Sequence, residues 1–226
     1  MIKLYAGPLS LFSRKVGIAL REKGLDFAED LVPFTQERGY QPKHPVVLAS
    51  NPKGQVPVLI DGDLVLSDST VILEYLEDAY PEPPLYPREP RAKAQCRLLE
   101  LAGDEILFAP VRDLLYRTEP AHADPAVQAE RDMKAIRAEE RIRHEFGLLQ
   151  ARLGAQDYFC GALSVADIAL FMTTLFVQRL AGPGIGEFPG LAGWYERLLA
   201  RSAFAAAAEA IAAADRDLSP ALAQRP

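Results

Sequence analysis

Between Tyr80 and Pro90 the chain holds five prolines in eleven residues, and no other segment limits its folding as much. Proline has no N–H, and its ring clashes with the preceding helical turn, so this run can be neither helix interior nor central strand. It predicts a stiff linker that separates two stretches of different character. Residues 1–79 mix strand and helix patterns, whereas everything from Arg91 on has helical spacing.

In the first stretch, Ile2–Tyr5 is a predicted strand, Phe12–Lys23 a helix, and Asp26–Pro33 contains a second strand. A short helical or irregular piece around Pro45–Ala49 follows. Asp61-Gly62 between Val58–Ile60 and Leu64–Leu66 is a hairpin signal, because tight hairpin turns need positive φ. A helix from Asp68 to Asp78 puts Val71, Ile72, Tyr75 and Leu76 on one face. The order β-α-β-α-β-β-α sets a parallel βαβ unit beside an antiparallel hairpin in one small sheet.

In the second stretch, a helix is expected from about Arg91 to Arg117, with Leu98, Leu101, Phe108, Val111 and Leu115 on its buried stripe and a kink at Pro110. A second, about Pro125–Leu153, turns Ile142, Phe146, Leu149 and Leu153 inward and carries a Glu139/Arg143 pair at i,i+4. Further helices start at Ser164, Leu191 and Ser202. Ser164 and Asp167 form a capping box. Gly182–Gly186 follows a helix, so it is a loop and no dinucleotide fingerprint.

The 226 residues carry a net charge of −6, which argues against a nucleic-acid partner. Cys96 and Cys160 stand in no CxxC pattern and are expected as buried small hydrophobes in a reducing cytoplasm. His44, His122 and His144 show no metal-ligand spacing, so no metal is expected. The opening residues lack the pattern of a signal peptide, and no apolar run is long enough to span a bilayer.

The chemistry-bearing residues cluster at strand ends. Gly7–Lys15 joins the first strand to a helix N-terminus, where free N–H groups and the positive end of the helix dipole meet. A hydroxyl there, on Ser10 or Ser13, can stabilise a thiolate or oxyanion, or it can simply cap the helix. Val56-Pro57 and Asp68-Ser69 place polar groups where a strand start meets a helix start, a place that suits a small anionic ligand with peptide character.

Taken in order, Ser10-x-x-Ser13-Arg14, Asn51-Pro-Lys-Gly-Gln-Val-Pro57, Asp68-Ser69, Ser164-Val-Ala-Asp167 and Phe188-Pro-Gly-Leu-x-x-Trp194 resemble a cytosolic glutathione transferase over nearly the whole chain. The resemblance implies a thioredoxin-like α/β domain at 1–79, the linker at 80–90, an all-helical bundle at 91–226, and a cis bond before Pro57. It also implies glutathione as cosubstrate and a cytoplasmic homodimer.

Ser10 matches the thiol-activating serine of theta- and zeta-like members, with Ser13 the alternative. Val56 would pair its backbone with the cysteinyl part of the tripeptide. Ser69 would hold the γ-glutamyl carboxylate and Asp68 its ammonium, with Lys53, Gln55 and Pro57 completing the slot. His44 is either a contact to the glycyl carboxylate or a solvated surface residue. Leu11, Phe12, Phe108, Arg112 and Tyr116 are expected to meet the electrophile between the domains, the last three sharing a helix face at i, i+4, i+8. An equal alternative is that these are core aromatics with a snorkelling arginine.

The zeta-type Ser-Ser-Cys run is missing, since Ser10-Leu11-Phe12 stands there. This weakens a maleylacetoacetate-isomerase-like activity. A non-catalytic ligand-binding or interaction module is the other alternative, because a fold does not fix a function.

Overall fold

In the computed structural model, which describes residues 1–224, the chain divides into two compact units. Met1–Leu85 with Ser202–Leu218 form the first, and Tyr86–Arg201 with residues 219–224 form the second.

The first unit runs β1 (Ile2–Ala6), α1 (Leu11–Glu22), β2 (Phe27–Leu31), α2 (Pro45–Ser50), β3 (Val58–Asp61), β4 (Leu64–Ser67) and α3 (Ser69–Ala79). The element order is the expected one. The sheet order is β2-β1-β3-β4, with β1 and β2 parallel and the other two pairs antiparallel. The parallel pair requires a crossover, which α1 provides, and the antiparallel pair needs only the Gly62 turn at φ +63. The Val56-Pro57 bond is cis, as the resemblance implies.

Helix α1 buries Leu11, Val16, Ile18, Ala19 and Leu20, which occupy several of its faces. It packs on α3 and also on the alanine-rich helix α9 (Ser202–Leu218), whose Ala203, Phe204, Ala207 and Ile211 are buried. The sequence reading places α9 with the helical second domain, where its neighbours in the chain lie. Its apolar stripe instead docks in the first unit, where small alanines allow close approach to α1.

The proline run is partly tied down. The buried Lys23 ammonium donates to Glu77 Oε2 (2.8 Å) and to the carbonyls of Tyr80 (2.8 Å) and Pro83 (3.0 Å), and Leu85 N–H donates to Glu77. The boundary between the units therefore falls inside the run, after Leu85.

The second unit contains α4 (Pro90–Leu101), a π-helical segment (Ala102–Leu107), α5 (Phe108–Arg112), a 3-10 turn (Leu115–Thr118), α6 (Pro125–Leu153), α7 (Val165–Arg179) and α8 (Pro189–Leu199). The single helix expected over 91–117 is interrupted. Pro110 offers no N–H to the preceding turn, and the i→i+5 bonding of the π segment widens the helix just before it. Counting back from Phe108 at regular spacing lands on Leu101 and Leu98. The extra residue rotates the preceding helix by roughly 100°, so Cys96, Leu99 and Glu100 are buried while Leu98 and Leu101 are exposed. Leu115 is exposed because α5 ends at Arg112 and Leu115 opens the 3-10 turn. Gly103 lies against Ala169 of α7, and Thr173 donates its hydroxyl to the Gly103 carbonyl at 3.1 Å.

Helix α6 has its expected bounds and buries the four expected residues. Its Glu139 pairs with Arg117 at 2.6 Å and Arg143 with Glu187 at 3.4 Å, in place of the expected i,i+4 pair. Tertiary partners held nearby displace a surface pair of small value. The capping box forms, and Asp167, fully buried, accepts from Phe159 N–H, Ser164 N–H, Ser164 Oγ and Trp194 Nε1. Among the described residues, no helix is long and apolar enough to cross a membrane.

Candidate functional site

The strand register brings the singled-out segments of the first unit to one end of the sheet. Tyr5, near the end of β1, lies opposite Val58 at the start of β3, and Val58 lies opposite Ser67 at the end of β4. With neighbouring strands about 4.8 Å apart, the Gly7–Ser10 loop, Val56-Pro57 and Asp68-Ser69 all leave the sheet along the same edge.

At the first of these, Ser10 caps α1. Its φ of −90° and ψ of 111° are extended, and its Oγ accepts from Ser13 N–H at 3.2 Å. That bond uses an acceptor lone pair and leaves the hydroxyl proton to donate elsewhere. Ser10 is half-buried. Ser13 differs: it is fully buried, and its Oγ accepts from Gly7 N–H at 3.1 Å. Leu11 is buried and Phe12 half-buried.

Arg14, 4% exposed, spans the loop from below by donating to Glu29 (2.9 Å) and to the Pro8 carbonyl (3.3 Å). A Cβ on Gly7 would overlap Tyr40, coming within 2.6 Å of its Cζ. Glycine leaves this space to the Tyr40 ring.

The second segment is shaped by Asn51, to which the sequence reading gives no role beyond its place in the motif. Its side chain donates to the Gln55 carbonyl (2.7 Å) and accepts from Lys53 N–H (2.9 Å), while its own carbonyl accepts from Gly54 N–H (2.7 Å). Gly54 supplies the positive φ (+59°) that closes this loop. Asparagine followed by proline and then glycine is a turn signal that could have marked it. The loop leaves Lys53 and Gln55 exposed and Val56 half-buried, outside the strand pairing.

At the third, Asp68 holds φ +78°, a left-handed conformation costly for a residue with a Cβ. Its carboxylate caps α3 by accepting from Thr70 N–H at 3.1 Å. Ser69, the first residue of α3, is 6% exposed. His44 is half-buried, its ring 5.3 Å from that of Tyr5, which corrects the expectation of a solvated side chain.

In the second unit, Phe108 is buried and Arg112 exposed, with the guanidinium 5.2 Å from the Phe108 ring. Tyr116 does not share their helix. Helix α5 ends at Arg112, and Tyr116 sits on the 3-10 turn, where its hydroxyl donates to Asp132 of α6 at 2.6 Å. Among the described residues, no group of three or more His, Cys, Asp or Glu could hold a metal ion.

A sheet of this order, with a cap serine after β1, a cis-proline before β3 and an Asp-Ser cap after β4, defines a thioredoxin-like domain. Family models agree. The glutathione S-transferase N-terminal domain matches residues 4–84 and the C-terminal domain residues 106–202. Glutathione S-transferase 1 of Dianthus caryophyllus is 32% identical over 193 residues, covering 83% of this chain and 82% of that protein. A stringent starvation protein A homolog of Coxiella burnetii is 40% identical over 101 residues, and that match spans only 44% of each chain. Among solved structures, a glutathione S-transferase from Methylobacterium radiotolerans in complex with glutathione sulfonate has a TM-score of 0.73 at 28% identity, covering 92% of this chain and 94% of that one. The chain belongs to the glutathione S-transferase family.

Proposed function

We propose that this protein is a cytoplasmic, homodimeric glutathione transferase that adds the glutathione thiolate to a small electrophile, with Ser10 holding the sulfur. The convergence of the Ser10 loop, Val56-Pro57 and Asp68-Ser69 on one sheet end carries this reading. In it, the Val56 backbone pairs with the cysteinyl residue as an added strand does. The N-terminus of α3 with the Ser69 hydroxyl takes the γ-glutamyl carboxylate, and Asp68 takes its ammonium. Lys53 and Gln55 reach the tripeptide from the loop that Asn51 folds.

A free thiol with a pKa of about 8.5 is mostly protonated at neutral pH. Lowering that value by roughly one to two pH units needs about 1.4–2.8 kcal/mol of preferential thiolate stabilisation. One hydrogen bond from Ser10 to the charged sulfur, with the helix terminus behind it, is of this size. The thiolate then attacks the electrophilic carbon. A C–S bond forms as a leaving group departs, or as a carbanion forms and takes a proton.

Ser10→Ala is expected to remain on immobilised glutathione and to lose roughly ten- to a hundredfold of its rate with an aromatic halide. If Ser13→Ala is the crippling change instead, Ser10 has been given the wrong role. The second reading is a glutathione-binding interaction module, because a fold does not fix a function. Glutathione binding without turnover across a broad electrophile panel supports that one.

A further inference from the structure

Resting on the thiolate role given to Ser10, we propose that Tyr40 is a positioning residue for the conjugation. Its phenol ring sets the place of Gly7 and, through Gly7, of the Ser10 hydroxyl. Tyr40 lies between β2 and α2, in a segment to which the sequence reading assigns no role. Thr35 and Gly39 exchange backbone hydrogen bonds at 3.0 and 2.7 Å, and Arg38 N–H donates to Thr35 Oγ1 at 3.1 Å. This tight turn, with Gly39 at φ +58°, folds the chain back so that Tyr40 meets Gly7.

The ring is held on its own side of this contact. Tyr40 is half-buried, and its ring meets that of Phe34 edge-on at 4.8 Å. It packs on the buried cluster of Tyr5, Val32, Val47 and Val58, against which Val56 also packs. Its Oη, Cζ and Cε1 are the atoms nearest the place a Gly7 Cβ would take, with Cε1 at 2.9 Å. Gly7 in turn is tied to both serines. Its carbonyl accepts from Ser10 N–H at 3.1 Å, and its N–H donates to Ser13 Oγ at 3.1 Å. A shift of Gly7 therefore passes directly to Ser10. The charges at this helix start are Arg14, bonded to Glu29 and the Pro8 carbonyl, and the buried Lys15.

No proton moves at Tyr40 itself. A Ser10 hydroxyl aimed at the sulfur favours the thiolate and holds the bound thiol below its free pKa of about 8.5. A hydrogen bond weakens steeply as its angle closes. When Gly7 is pushed, or loses its support, the hydroxyl leaves its line and the pKa climbs back toward the free value. Each pH unit of that climb lowers the thiolate fraction at neutral pH about tenfold. A loss of fold stability alone reduces the amount of active protein and leaves the pH midpoint where it was.

The test is a pH titration of the full chain, following the conjugation rate and the ultraviolet absorbance of the bound glutathione thiolate. Tyr40→Val and Gly7→Ala should each raise the midpoint by about one pH unit and lower the rate at neutral pH roughly tenfold. The double variant should match the single ones, because both changes break one contact. Tyr40→Phe keeps the ring against Phe34 and should stay within about threefold of the unsubstituted rate. The proposal is overturned if folded Tyr40→Val keeps the unsubstituted midpoint, or if the two shifts add in the double variant. Ser10→Ala in the same titration separates the two readings. An unmoved midpoint there overturns the role of Ser10 and this route through it. A moved midpoint there, with an unmoved one in Tyr40→Val, overturns the role of Tyr40 alone. Amide hydrogen exchange at Ser10 and Ser13, read without glutathione, should quicken in Tyr40→Val, and unchanged exchange also overturns the proposal.

Discussion

The hydroxyls of Ser10 and Ser13 differ in what surrounds them, and substitution should separate them. Ser13→Ala leaves the Gly7 N–H buried without its acceptor, so it should cost about 1–3 kcal/mol, read as a lower urea midpoint, with the conjugation rate of the folded fraction little changed. Asn51→Ala should raise KM for glutathione more than it lowers kcat, because Asn51 shapes the loop and does not touch the sulfur.

A third residue-scale outcome concerns Asp61, which accepts from Tyr80 (2.6 Å) and Tyr75 (2.8 Å). These bonds, Tyr80's first, hold the Asp61 carboxyl below its ordinary value, and Asp61 pushes the Tyr75 phenol up to about 12. A lowered carboxylate contributes stability that is present above its unfolded value near 3.9 and lost as pH falls through the folded one. A raised phenol contributes stability present below about 10 and lost as pH rises through about 12. Asp61→Asn should therefore cost about 1 kcal/mol, screened by partial exposure, between roughly pH 5 and 9. The gap from the unsubstituted protein should shrink toward pH 2 in urea titrations. A gap that holds constant in acid rules the account out.

Among the elements, regular helices were legible and the irregular one was not. Helix α6 shows its span in the sequence because Asp124 and Pro125 mark its start and uninterrupted 3.6-residue spacing carries it to Leu153. The stretch after Pro90 misleads because one extra residue in the π segment turns α4 relative to α5, and periodicity alone gives no sign of it. That segment is held by its contact with α7. A Cβ on Gly103 would come within 3.1 Å of the Ala169 backbone carbon, so Gly103→Ala should force the helices apart at a cost of about 1–3 kcal/mol. Thr173→Val should cost about 1 kcal/mol by removing the donor to the Gly103 carbonyl. Thermal unfolding of the two variants checks both values.

For the whole molecule, the docking of α9 and the pairing of copies matter most. Phe204 is fully buried in the first unit, so Phe204→Ala should cost about 3–5 kcal/mol and speed hydrogen exchange in α1, although the two helices lie at opposite ends of the chain. Leu98 and Leu101, exposed one turn apart on α4, suit the proposed homodimer, and Leu98→Glu with Leu101→Glu should shift sedimentation toward the monomer. By itself, the sequence determined the order of strands and helices, the change of character at the proline run, and the segments that carry the site. Those follow from local steric rules and short-range periodicity. The tertiary structure alone decided that three such segments share one sheet end, that α9 belongs with α1, and which face of α4 is buried. Each of these depends on long-range packing and on strand register, and neither leaves a mark in the spacing of neighbouring residues.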